Sequence, residues 1–312
     1  MVHRFAIALT IAISSAAWAQ ARCDGDLIMT QAAFAQANPG AIGVAAQARW
    51  CRPLYETEGP LAAGNGVAVH AELAFGLKAG RTTLGVELQP LSILSLGVAY
   101  RATLYPGILG LPQSYPSPGA DYRSTLFSPP EEGPGGSYAL VVHQLVLDGT
   151  LQAKLGPILM RSSTRASLFH ADLHGDDRVF YEPGLDIVVY RNGWALQNDS
   201  DVAYAVGDHL IVGVRHTLVE AWYPTGAYPP LEPRDNPNTP TSRIGPIVRW
   251  TFFDRGSGWL ESASVGAVVQ WYVTHRFRTG EAVGGAVPLV GIGLTLTTRV
   301  SLTAPGTPPG RR

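Results

Sequence analysis

From about Ala41 to Thr298 apolar and polar residues alternate with a period of two, and long helical patterns are scarce. Within Gly66 to Lys78 the odd positions are Val67, Val69, Ala71, Leu73, Phe75 and Leu77, while His70, Glu72 and Lys78 fall on even ones. Successive strand side chains point to opposite faces, so this segment predicts a strand with one oily and one polar side. Leu84, Val86 and Leu88 against Thr83, Glu87 and Gln89 repeat the pattern, as do Leu94, Leu96, Val98 and Tyr100 against Ser95, Gly97 and Arg101. Later runs, such as Ile244 to Phe252, Ala263 to Val273 and Val290 to Leu296, set apolar residues against Gly, Ser, Thr, Gln and Arg. Several runs reach the roughly 9 to 11 residues that a tilted strand needs to cross hydrocarbon, whereas soluble strands are usually about 5 or 6. A secreted soluble β-sandwich would also alternate, but rows such as Val67, Val69, Leu73 and Phe75 would expose large apolar patches to water.

These runs predict an all-β chain: a closed antiparallel transmembrane β-barrel of about twelve strands, with ten to fourteen possible. The expected strands are 41–55, 66–78, 82–89, 94–105, 137–147, 150–166, 178–191, 194–205, 210–223, 242–253, 260–276 and 287–300. Short turns are expected at Ala79 to Arg81, Pro90 to Ser92, Leu147 to Gly149, Asn192-Gly193 and Gly207 to His209, Asn-Gly being a strong hairpin signal. Pro/Gly-rich stretches at Pro106 to Gly136 and Pro224 to Thr241 suit the long outer loops of such barrels. Aromatics near run ends, namely Tyr55, Tyr105, Tyr138, Tyr190, Trp194, Trp222 and Tyr223, suit an interfacial girdle. Alternating up and down from the periplasm puts Pro106 to Gly136 on the outer side only if the early strand boundaries are right.

The amino terminus predicts export. His3 and Arg4 precede an apolar run from Phe5 to Ile13, and Ala17-Trp18-Ala19 fits a signal-peptidase site. The expected organisation is a signal peptide at 1–19, a periplasmic segment at 20–40, the barrel at 41–302 and a flexible tail at 303–312. Only 15% of residues are charged, against about 25% in an average soluble domain. A net charge of -1 offers no basic surface for nucleic acid. The two cysteines, Cys23 and Cys51, can pair in an oxidising periplasm or stay free.

Taken together, Gly40 to Leu302 resembles the barrels of Gram-negative outer-membrane proteins, and the runs Phe180 to Asp186 and Trp194 to Asp199 are similar to members of that class. The resemblance is architectural and porin-like. It implies outer-membrane lipid and lipopolysaccharide as surroundings, the barrel assembly machinery as a partner and small solutes as cargo, with no cofactor. A departure is the tail from Ala304 to Arg312, which carries no terminal aromatic.

Lipid-modifying barrel enzymes of the phospholipase and lipid A deacylase types place a His two residues before a Ser, so that imidazole activates hydroxyl. The nearest match here is His275, but Phe277 occupies the nucleophile position and Thr279 lies about 13 Å along an extended strand. No catalytic residue is assigned. Strand parity groups His275 with Trp271 and Val273, or places it in a loop. His170, His174, Asp176 and Asp177 have metal-ligand chemistry without evident convergence, so they read as a hydrated loop and no metal is assigned. The functional candidates are the charges expected on the lumen face: His70, Glu72, Lys78, Glu87, Arg101, Lys154, Asp199, Asp201, Arg215 and Arg249. They either pair and fill the lumen or line a water-filled path and tune its selectivity. The expected function is a narrow passive pore or a structural barrel.

Overall fold

The computed structural model describes residues 23, 25–56, 59, 61–122, 137–234, 236–255, 259–279 and 288–300. The expected leader at 1–19 and tail at 303–312 lie outside these residues. In chain order the strands are β1 (Leu27–Ala37), β2 (Ala41–Arg52), β3 (Gly66–Gly76), β4 (Gly80–Leu91), β5 (Leu94–Pro106), β6 (Ser114–Tyr115), β7 (Ala139–Leu155), β8 (Ile158–Ala171), β9 (Val179–Glu182), β10 (Ile187–Tyr190), β11 (Trp194–Val206), β12 (Leu210–Ala221), β13 (Thr241–Asp254), β14 (Leu260–Thr274) and β15 (Leu289–Val300). Twelve of them close into an antiparallel barrel in which β15 returns to pair with β1, from Leu27 opposite Val300 to Ala37 opposite Val290. The other three, β6, β9 and β10, form a separate small sheet.

The strand number agrees with expectation through two compensating differences. Leu27–Ala37, expected to be periplasmic, is the first barrel strand. The segment 178–191, expected to span, is instead the short β9–β10 hairpin, and the barrel skips it by pairing β8 with β11. Adding β1 corrects the early boundaries on which the sidedness of the loops depends. The connections after β5, β8, β12 and β14 now share one end of the barrel, opposite the turns that follow β4, β7 and β11. Barrels of this kind carry short turns on the periplasmic side and long loops outside. The turn expected at Leu147 to Gly149 is absent because β7 runs on to Leu155, and the chain reverses at Gly156, whose φ of 59° suits a residue without a side chain.

Alternation sorts the two faces. Val69, Leu73, Phe75, Leu84, Val98, Val202, Val214, Ile292 and Leu294 stand exposed on the outer surface. A closed barrel leaves no unpaired backbone edge, which is what allows strands to cross hydrocarbon at all. Exposed aromatics cluster toward both rims: Phe75, Trp194, Trp222 and Trp271 at the loop end, and Tyr204, Trp250 and Phe252 at the turn end. Of the expected girdle, Tyr55, Trp194 and Trp222 are exposed, whereas Tyr105 is buried and Tyr138, Tyr190 and Tyr223 pack against an internal core. Cys23 is disulfide-bonded to Cys51, and Trp50 Nε1 donates to the Gly25 carbonyl at 3.0 Å, so the approach to β1 is fixed against β2.

Candidate functional site

The barrel interior has two storeys. In the outer half many of the inward-facing side chains are apolar or aromatic: Phe34 on β1, Tyr105 on β5, Val142 on β7, Phe169 on β8 and Val219 on β12. They pack around Val179, Phe180, Tyr181, Ile187, Val188 and Val189 of the β9–β10 hairpin, together with Tyr122 and Phe277. The hairpin therefore fills the outer half of the lumen as a plug. Its four-residue strands bury both faces, which is why they read as continuous apolar runs instead of alternating ones.

A single carboxylate latches this plug. Asp186, at the hairpin tip with φ of 59°, accepts from Tyr181 Oη at 2.7 Å, Tyr272 Oη at 2.6 Å and Arg278 Nη2 at 2.9 Å. Arg278 Nε also donates to it. Burial alone would favour the neutral acid, but the Arg278 charge, His275 and the hydrogen bonds outweigh it and hold the carboxyl well below the usual carboxylate range. His275, expected to be interfacial or in a loop, lies beyond the end of β14 and points inward, almost wholly buried. Its Nε2 sits 3.0 Å from the Asp186 carbonyl, and its Nδ1 accepts from the Phe277 N–H at 3.1 Å. Both ring nitrogens are thus occupied by backbone groups. The Thr279 hydroxyl donates to the His275 carbonyl at 2.6 Å and not to the imidazole, so among the described residues no hydroxyl or thiol nucleophile is hydrogen-bonded to this ring.

Beneath the tip lies a cavity of about 120 Å³, lined by Glu182, Pro183, Gly184, Leu185 and Asp186 above and by strand residues below. Its walls carry Arg81, Arg101, Arg165, Arg215 and Arg243 against the carboxylates Glu182, Asp186 and Asp199. Tyr105 Oη donates to Glu182 at 3.2 Å, and burial raises the Glu182 carboxyl above its ordinary value.

The ten sequence-derived candidates occupy different places. Glu72 accepts from Arg81 at 2.8 Å, and Glu87 pairs with Arg49 at 3.2 Å and accepts from Ser95 at 2.8 Å. Asp201 is fully buried between Arg161 at 2.6 Å and Arg215 at 2.7 Å. Asp199 accepts from Thr217 at 2.6 Å, and Arg101 donates to Thr83 and Gln144, both at 3.4 Å. His70 lies across Gly85, where an added Cβ would fall 2.5 Å from its ring. Arg249 is on the inward face of β13, and Lys154 is exposed at the turn end of β7. Lys78 departs from the lumen wall: it lies in the turn after β3, buried at the outer rim, where burial lowers its ammonium pKa to about 8.

Several residues of the network escape the sequence reading. Asp148 lay in the misplaced turn, and its partner Arg165, at 2.8 Å, lay in a strand whose expected bounds crossed the true reversal. Alternation counted from Gly156 would have placed Asp148, Arg161 and Arg165 on the polar face. The latch residues Asp186 and Arg278 carry no local signal, because 92 positions separate them. The His and Asp residues of the 170–177 segment do not gather: His170 meets Asn192 at 2.6 Å, His174 stacks on Tyr138, and Asp177 accepts from Ser114 at 2.5 Å. Among the described residues no three His, Cys, Asp or Glu side chains form a set that could hold a metal.

No protein-family model and no curated protein matches the chain. Solved structures similar to it include the NanC porin, at 6% identity over 87% of this chain and 100% of that one, with a TM-score of 0.40. An outer membrane channel from Pseudomonas putida F1 is 10% identical over 88% and 96%, with a TM-score of 0.41. The translocator domain of autotransporter NalP from Neisseria meningitidis is 11% identical over 88% of each chain, also at 0.41. The closed ladder and the apolar outer belt suit a lipid surround, and the chain has the architecture of a transmembrane β-barrel.

Proposed function

We propose that this barrel is a narrow passive channel for small solutes that favours anions and is held shut by the β9–β10 plug. The observation that carries this reading is the polar cavity beneath the hairpin tip, walled by five arginines against three carboxylates. Arg81, Arg165 and Arg215 are held by Glu72, Asp148 and Asp201, and Arg278 from the outer loop neutralises Asp186. Arg101 and Arg243, hydrogen-bonded to the amides of Gln144 and Gln270, supply the wall's remaining positive charge. Charges lining a confined path set the local counter-ion population, so a basic wall draws anions. Pairs such as Arg161–Asp201–Arg215 brace the wall without closing it. On the other side of the lumen β15 presents Gly291, Gly293, Thr295 and Thr297, small residues that leave room for solute and water.

The test is planar-bilayer conductance of purified protein, with and without residues 179–190. Small, anion-favouring currents that rise at least severalfold on removal of the hairpin are expected. Silence from a folded deletion variant would leave a structural barrel as the reading.

A further inference from the structure

We propose that the lipid-facing side of β8, β11 and β12 is the interface of a homodimer. At the midpoints of these strands the outer surface turns from apolar to polar. Ser162 and Thr164 on β8, Asn198 and Ser200 on β11, and His216 on β12 occupy the face opposite Arg161, Asp199, Asp201 and Arg215, and are therefore outward. Toward the turn end the same rows are oily, with Met160, Val202 and Val214 exposed; toward the loop end they continue with Ala166, Leu196, Trp194 and Leu218.

The five residues form one patch. Asn198 Nδ2 donates to Ser162 Oγ at 3.0 Å and to Thr164 Oγ1 at 2.8 Å, while Ser200 Oγ donates to Asn198 Oδ1 at 2.8 Å. His216 stands opposite Ser200 in the ladder. Among the described residues, the Ser162 and Thr164 hydroxyls serve as acceptors and the His216 imidazole meets no hydrogen-bonding partner, so donor capacity remains on the surface. Acyl chains at mid-membrane depth offer nothing to bond, and unmet polar groups are costly there.

A second copy of the chain meets that need. Ser, Thr, Asn and His carry donors and acceptors together, so the patch complements itself under a two-fold rotation, the commonest symmetry of homo-oligomers. Gly149 and Ala166 flank Thr164 on the same face and allow close approach. The opposite wall, around Ala33, Ala35, Ile42 and Ile292, is mostly apolar and suits lipid, and its one mid-strand amide, Gln31, is met within the wall by Thr298 at 3.5 Å. A head-to-tail ring pairing those two unlike walls would not close, because they face away from each other.

Because Cys23 and Cys51 are joined, one introduced thiol reports contacts cleanly. The full chain in mild detergent and in lipid nanodiscs is expected to have twice the mass of one chain. Ser200→Cys should cross-link on oxidation to a band of doubled mass, whereas Ala46→Cys on the opposite wall should not. Asn198→Leu with Ser200→Ala should give monomers that keep heat-modifiable gel mobility, the sign of an intact barrel. A monomeric wild type, a dimer that survives the double substitution, or cross-linking through Ala46→Cys instead would overturn the proposal.

Discussion

Two carboxylates four residues apart respond to pH in opposite ways. The Asp186 carboxyl is depressed in the folded chain, so its stabilising contribution is present above its unfolded pKa and is lost only as pH falls through the folded one. The latch therefore holds through neutral and mildly acidic conditions. Glu182 is raised by burial, so its contribution favours the inserted plug below the ordinary value of 4.5 and fades as pH rises through the folded value. Conductance of the wild type should accordingly rise with pH above about 4.5, and Glu182→Gln should flatten that dependence. An unchanged titration would remove Glu182 from the account. Asp186→Asn tolerates the left-handed backbone at this position but leaves Arg278 buried without its counter-charge, at a cost of about 3–5 kcal/mol. Limited proteolysis at 183–185 should become faster in this variant, with the barrel still heat-modifiable.

A barrel strand is an element with two solvents. Leu73 faces lipid and Glu72 the lumen, where it pairs with Arg81. Arg at position 73 should cost about 2–4 kcal/mol near the midplane and lower assembly yield in outer-membrane fractions, while Glu72→Gln should assemble normally and change ion preference. Equal tolerance of arginine at both positions would refute the face assignment. The same two-solvent rule explains which elements were legible. Gly66–Gly76 and Leu289–Val300 alternate strongly and were read directly, and the lumen placement of Glu72, Glu87, Asp199 and Asp201 followed from it. Leu27–Ala37 was missed because alanines on both faces and Gln31 on the outer one blur its alternation. The hairpin mimics a spanning strand in the sequence because a plug strand, surrounded by protein, shows an apolar run of spanning composition without spanning length. The Pro183-Gly184-Leu185-Asp186 stretch is a turn, and it divides that run.

At the scale of the molecule the plug, the polar chamber and the lipid belt are separable. The Cys23–Cys51 bridge lies at the turn end of the barrel, away from all three, so oxidised protein should show no thiol labelling until reduced. Reduction should leave heat modifiability nearly unchanged, since the hydrogen-bonded ladder carries the barrel. That ladder has a seam. Where β1 meets β15, Asp26 and Arg299 pair across 273 positions of chain, and until that contact forms both margins of the sheet lack partners. An open margin cannot rest in hydrocarbon, so the first strand has to wait for the last. Closing so long a loop early is entropically unfavourable. Truncation before Leu289 should therefore abolish assembly outright, with no partial barrel accumulating, and pulse-chase membrane extraction should show one late, concerted step into the bilayer. In time, this chain is complete only when its end has met its beginning.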